Sequence, residues 1–409
     1  MARTPRSKIP LARQLSVGAV VDAIIHGGPV SRVAISKATG LSKQTVSEVV
    51  RELEAEGWVR PTGQTSGYIG RTATTYEICP DAAFILGVDL GGAKIHAAIA
   101  NLACHVVIEE SEATNPTGGL TVVQQIANLA SRLAGRAGIA SDKIRLAAIG
   151  SPGVVDHASG GIRLAPNIPG FETLDVVGAL RDALGTEVIV ENDVNMAAIG
   201  EQWLGKARGK STFAFLALGT GFGMGLLSDG KLMRGARGAA GEIAYLPIGG
   251  DPFHPATREH GTLEMAVGAA GILRRYRAAG GVSAETVREI FDAMTAGDAV
   301  ARATIEETAR LIALTTLTVA TLLDPELIVL GGSIGARLEL VERVRALLAG
   351  RMPNPVLIEA SALGNRAGIV GALAVAINNI HNSLFGPAGL PKALALPALP
   401  ELRGLGVTA

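Results

Sequence analysis

The chain has 409 residues, 48% apolar and 18% charged, with no net formal charge at neutral pH. That length exceeds one ordinary core and predicts two or three domains, and the composition excludes a disordered chain. The two cysteines, Cys79 and Cys104, exclude a disulfide framework and a cysteine metal cluster and point to a reducing compartment.

The charge is uneven along the chain. Residues 1–80 hold ten Lys or Arg against six Asp or Glu, a basic head that suits a polyanion. The start, MARTPRSKIPLAR, is basic but lacks the apolar stretch of a signal peptide. No apolar run approaches the length of a membrane span, so a cytoplasmic protein without a membrane partner is expected.

Residues 12–26 carry helical apolar spacing and stop at Gly27-Gly28-Pro29. A short helix follows, with Ser31 as its cap and Gly40 as its end. A third helix begins after Ser42, buries Val46, Val49, Val50 and Leu53, and ends at Gly57. Two helices joined by a tight turn form a helix-turn-helix, and WVRPTGQTSGYIGRTATTYEI reads as the strand, turn and strand of a wing. A recognition helix needs short polar groups and cations in its first turns. Ser42, Lys43, Gln44, Thr45, Ser47 and Arg51 supply them, Arg32 lies on the preceding helix, and Arg71 at the wing would reach a minor groove. These residues are expected to bind double-stranded DNA; a dimerisation domain with a solvated face is the plainer alternative.

From about Phe84 strands and helices alternate, an α/β pattern. ILGVDL-GG-AKIHAAIANL and TFAFLALG-TGFG-MGLLSDGKL are both strand, glycine turn, strand. Asp89, Gly91, Gly92 and Lys94 in the first, Gly219, Thr220 and Gly221 in the second, and Gly331-Gly332 after LIVL would suit nucleotide phosphates. Each could equally be only a turn, and no Walker A run is present. VIVEND ends a strand on Glu191, Asn192 and Asp193, where crevice residues gather, although Asp193 could instead cap the helix that follows. Asn167, Glu242, Tyr245 and Glu264 are further polar candidates, while His254 and His260 read as surface residues.

In order and spacing, LGVDLGGAKI, GSPGVVD, APNIPG, VENDVN, LGTGFGMGLLSDGKLMRGARGAAGEI and DPELIVLGG together resemble the ROK family (repressors, ORFs, kinases). The likeness runs from about residue 12 to about residue 380. It is to the family's transcriptional regulators, of the xylose and N-acetylglucosamine repressor type. It implies a winged helix-turn-helix over 1–80, then a two-lobed actin-like, hexokinase-like (ribonuclease H-like) α/β body over 81–385; by composition alone, 386–409 reads as a Pro/Gly-rich tail. The resemblance further implies a sugar between the lobes. Asn167, Asn192, Asp193, Glu242 and Glu264 match its sugar contacts, and Tyr245 stands where another sugar contact falls. Asp193 would be the base if the chain is a kinase.

Two departures stand out. Ala93 replaces the usual threonine of the phosphate turn. Ala244-Tyr245 replaces the Gly-His that helps hold zinc, no cysteine follows, and Thr262 stands where the last one would be. The expectation is a sugar-responsive repressor, homodimeric or homotetrameric, acting on an operator with a sugar or sugar phosphate as effector. It requires no cofactor and no zinc, and ATP and Mg²⁺ enter only if kinase activity is retained.

Overall fold

The computed structural model describes residues 10–64, 73–156, 160–165, 167–351 and 354–386. They form two compact units. The first comprises Met1–Ile149, Asn167–Val190 and Ala372–Ala409, and the second Gly150–Pro166 and Glu191–Gly371.

The first unit begins with helices α1 (Leu11–Gly27), α2 (Arg32–Thr39) and α3 (Lys43–Ala55). The expected caps are in place: Ser31 accepts the Ala34 N–H and Ser42 the Thr45 N–H, and Gly40 takes the left-handed conformation that ends α2. Val46, Val49, Val50 and Leu53 form the buried stripe of α3 against the other two helices. Strands β1 (Val30–Ser31), β2 (Val59–Gln64) and β3 (Thr74–Ile78) make an antiparallel sheet in the order β1-β3-β2, the frame of the wing. Its tip, including Arg71, lies outside the described residues.

The same unit carries β4 (Phe84–Leu90), β5 (Lys94–Asn101), β6 (Val106–Ala113), helix α4 (Gly119–Ala137), helix α5 (Val176–Leu184) and all but the last two residues of β7 (Ile144–Ser151) and β10 (Glu187–Asn192). Its sheet runs β10-β7-β4-β5-β6. The apolar runs around Val88, Ala98 and Ile149 have no polar alternation because both faces of these strands are covered.

The second unit holds the hairpin of β8 (Val154–Val155) and β9 (Ile162–Arg163), then helix α6 (Asp193–Leu204). Its main sheet comprises β11 (Phe213–Leu218), β12 (Phe222–Ser228), β13 (Lys231–Leu232), β14 (Leu327–Gly331) and β15 (Leu357–Ala360), in the order β13-β12-β11-β14-β15. Helices α7 (Thr257–His260), α8 (Thr262–Val267), α9 (Ala269–Ala278), α10 (Val287–Thr295), α11 (Ala299–Leu323), α12 (Gly332–Gly335) and α13 (Leu338–Leu348) complete it. Tyr276, Ile290, Phe291, Ile312, Val341 and Leu216 belong to its continuous core.

The last helix, α14 (Ala367–Phe385), corrects one expectation. By length and composition Gly364–Phe385 could cross a membrane, yet 83% of its apolar window is buried inside the protein. Asn378, Asn379 and His381 interrupt the run in sequence, which hid its overall hydropathy. Within the first unit its end meets the headpiece: Trp58 packs edge-on to Phe385 at 5.6 Å.

Candidate functional site

Three regions gather the residues singled out by sequence. The first is the outer face of α3. Ser42, Lys43, Gln44 and Arg51 are exposed and Thr45 and Ser47 partly so. The Gln44 amide donates to the Glu48 carboxylate at 3.1 Å, and Arg13 of α1 pairs with Glu52 at 2.6 Å, which offsets acid on the same helix as Lys43 and Arg51. Arg32 stands apart from this row. Its guanidinium lies 4.9 Å from the Tyr76 ring centre, a cation–π contact inside the headpiece.

The second region is the pair of glycine turns, one in each unit. In the β4–β5 hairpin the Gly91 N–H donates to the Lys94 carbonyl at 2.9 Å, and the unpredicted Thr114 hydroxyl donates to the Gly91 carbonyl at 2.7 Å. The turn therefore closes on itself, and only its tip, Gly92-Ala93-Lys94, is exposed. Gly92 is needed for packing as well: a Cβ there would sit 2.9 Å from Asn167 Cβ. In the β11–β12 hairpin the Gly219 N–H donates to the Gly221 carbonyl at 3.0 Å. Gly332, with φ +79°, lies against the Leu218 carbonyl, and Gly331 lies against the Phe215 ring. Beside this second turn opens a pocket of about 660 Å³. Thr286, Arg288, Ser333 and Arg337 line it with Gly219 and Thr220. Sequence reasoning missed the first four, although the Thr286–Glu289 capping box marks the helix that brings two of them.

The third region is an acid cluster in the second unit. The strand β10 ends and α6 begins at Glu191-Asn192-Asp193. The cap of α6 is Asn192, whose side chain accepts the Asn195 N–H at 3.0 Å, so Asp193 is freed from the capping role weighed for it. Asn192 Nδ2 also donates to the Gly153 carbonyl at 3.1 Å. The buried Glu191 fixes this corner. It accepts from the Asn192 N–H and Asn195 Nδ2, both at 3.0 Å, and pairs with Arg234 at 2.6 Å.

Around Asp193 stand two more carboxylates. Glu242 precedes the short turn Ile243–Tyr245, and Glu264 lies in the first turn of α8. Glu264 accepts the Phe222 N–H at 3.0 Å, and a Cβ on Gly221 would come within 2.5 Å of the same carboxylate oxygen. The glycine thus makes room for the acid. Burial pushes Asp193 up to about 6, opposed by the Val194 N–H that its carboxylate accepts. Burial likewise raises Glu242 to about 6, helped by the negative charges of Asp193 and Glu264. Burial raises Glu264 too, against the Phe222 hydrogen bond and the nearby His260. Crowded carboxylates of this kind can accept hydrogen bonds from a polyol or take a proton from one.

The structure therefore brings Asn192, Asp193, Glu242 and Glu264 together. Asn167 belongs to the first unit, exposed beside Gly92. The Tyr245 hydroxyl donates to the Glu259 carbonyl at 3.1 Å.

The sequence matches the profile of the ROK family over residues 85–379 and that of the MarR family over residues 14–66. The chain belongs to the ROK family. A xylose repressor of Caldicellulosiruptor bescii is 27% identical over 388 residues, covering 90% of this chain and 97% of the relative. A glucokinase of Halalkalibacterium halodurans is 31% identical over 311 residues, covering 70% of this chain and 92% of the relative. Among solved structures, a ROK hexokinase from Thermus thermophilus is 30% identical, covers 73% of this chain and 99% of its own, and has a TM-score of 0.62. A ROK family transcriptional regulator, a homolog of the E. coli MLC protein, covers 92% of this chain and 98% of its own with a TM-score of 0.72. At 20% identity that second likeness is one of fold, and it spans headpiece and body together.

As a ROK protein this chain departs where zinc would sit. Asp251, His254, Glu259 and His260 are exposed, and His254 Nδ1 accepts the Ala256 N–H at 3.2 Å. Among the described residues no group of three or more His, Cys, Asp or Glu is placed to hold a metal ion. The donor set does not fit a zinc ion.

Proposed function

We propose that this ROK protein is a sugar-responsive DNA-binding repressor. The reading rests above all on one combination: a capped helix whose first turns expose Ser42, Lys43 and Gln44, and a crowded acid cluster in the same chain. The xylose repressor of Caldicellulosiruptor bescii, aligned over 90% of this chain, supports it. Ser42, Lys43, Gln44, Thr45, Ser47 and Arg51 face an operator, and Arg71 of the wing sequence is proposed to add a DNA contact. Two headpieces of a homodimer or homotetramer take two half-sites about one helical turn apart.

Asn192, Asp193, Glu242 and Glu264 take the hydroxyls of a sugar. Ionised carboxylates are the better acceptors, so sugar affinity rises as pH passes through about 6. The sugar acts through its different affinity for DNA-bound and free states, a coupling of about 1–3 kcal/mol. The test is a titration of an operator fragment from upstream of the gene against sugars and sugar phosphates. A response to none of them defeats the proposal.

Asp193 favours a second reading. A carboxylate near pKa 6 beside a sugar is suited to act as a general base in phosphoryl transfer. Asp89 and the exposed tip of the first glycine turn would then hold ATP and Mg²⁺, which supply the phosphoryl group and neutralise its charge. Turnover in a coupled ADP assay that vanishes in Asp193→Asn would promote this reading.

A further inference from the structure

We propose that a hydrogen-bonded strut built on Tyr245 holds Glu242 and Glu264 in register, in the place where the family pattern has a metal. Glu242 opens the turn Ile243–Tyr245, and the phenol at the end of that turn donates to the Glu259 carbonyl at 3.1 Å. Two residues beyond Glu259, Gly261 adopts φ +77° and passes so close to the Ala244 carbonyl that any side chain would collide with it. The next residue, Thr262, begins α8, which carries Glu264. Tyr245 therefore joins the segment leaving one carboxylate to the segment arriving at the other.

The intervening loop closes through its own side chains. Asp251 accepts the Phe253 N–H at 2.9 Å, and His254 accepts the Ala256 N–H. The buried Thr257 hydroxyl lies 2.7 Å from the His254 carbonyl and 3.1 Å from that of Pro252, sharing one proton between them. Burial, then the charges of Glu242, Glu264 and Glu259, raises the phenol above its ordinary pKa, so it remains a donor at neutral pH. Tyr245 is thus a positioning residue that acts through the two carboxylates.

The test uses the full chain. Protein purified in zinc-containing buffer and dialysed should hold substoichiometric zinc by plasma mass spectrometry, and EDTA should leave its thermal midpoint unchanged. Tyr245→Phe should raise deuterium exchange of the amides in 251–261 about tenfold, the worth of one net hydrogen bond. Thr257→Val should loosen the same loop from its other side. The last readout rests on the sugar proposal above. With D-glucose, D-xylose and N-acetyl-D-glucosamine as probes, Tyr245→Phe should weaken binding up to about tenfold and move its pH midpoint downward, because Glu242 leaves its like-charged neighbours. Sugar-free operator affinity should not change. Stoichiometric zinc, a midpoint lowered by EDTA, or wild-type exchange in Tyr245→Phe would overturn the strut. If the wild-type chain binds no sugar, the sugar proposal falls, while the zinc and exchange results still decide the strut.

Discussion

The face of α3 and the acid cluster both offer polar side chains to a ligand, but water treats them differently. Ser42, Lys43, Gln44 and Arg51 stand exposed on one helix. Meeting a partner costs them little beyond releasing bonds such as Gln44 to Glu48. Asp193, Glu242 and Glu264 are crowded together from three separate segments, and burial raises all three, Asp193 and Glu242 to about 6. Burying charge without a counter-ion destabilises the fold that holds it until something satisfies the oxygens. On the proposed function, the contrast separates a contact surface, which adds affinity without strain, from a receptor whose strain a ligand would relieve.

Gln44→Ala probes the contact surface. Discrimination between operator and random DNA should fall by about 1–3 kcal/mol per lost base contact. Unfolding in urea should stay within about 0.5 kcal/mol of the parent. Operator preference equal to the parent's would mean that the helix face is misassigned.

Glu242→Gln probes the receptor with the opposite signature. The folded pKa of about 6 lies above the ordinary 4.5. Between those values the folded state binds more protons than the unfolded state, so stability falls as pH rises through the window and stays lower above it. The variant should gain on the order of 1–2 kcal/mol at pH 8, discounted for partial solvent screening, and gain nothing near pH 4. Destabilisation at pH 8 would show that Glu242 is a satisfied structural acid. Ser42→Ala should have the smallest effect, costing about 1 kcal/mol of stability through loss of the Thr45 cap.

The same contrast explains what was legible in the sequence. Every signal in the headpiece is local: a serine before a helix, a glycine after one, apolar residues on one stripe. The caps at Ser31 and Ser42 and the stripe from Val46 to Leu53 therefore appear where expected. The acid cluster spans residues 191–264, and its members came from strand-end position and family pattern. Neither carries side-chain direction, so the closing of both glycine turns on their own carbonyls, the Glu191–Arg234 pair and Thr114 were not visible. The capping role weighed for Asp193 fell to Asn192, one residue earlier, because the helix begins at the aspartate. The pocket beside Gly219 draws on residues from 219 to 337, a span that no short motif encodes.

The most direct measurement is the affinity of the full chain for its operator, by fluorescence anisotropy, with and without each sugar, beside Asp193→Asn. At least one sugar should shift wild-type affinity by about tenfold or more. Asp193→Asn should keep its sugar-free affinity and lose the shift. A wild-type affinity indifferent to every sugar and sugar phosphate, or an Asp193→Asn chain that responds like the parent, would contradict the proposed function.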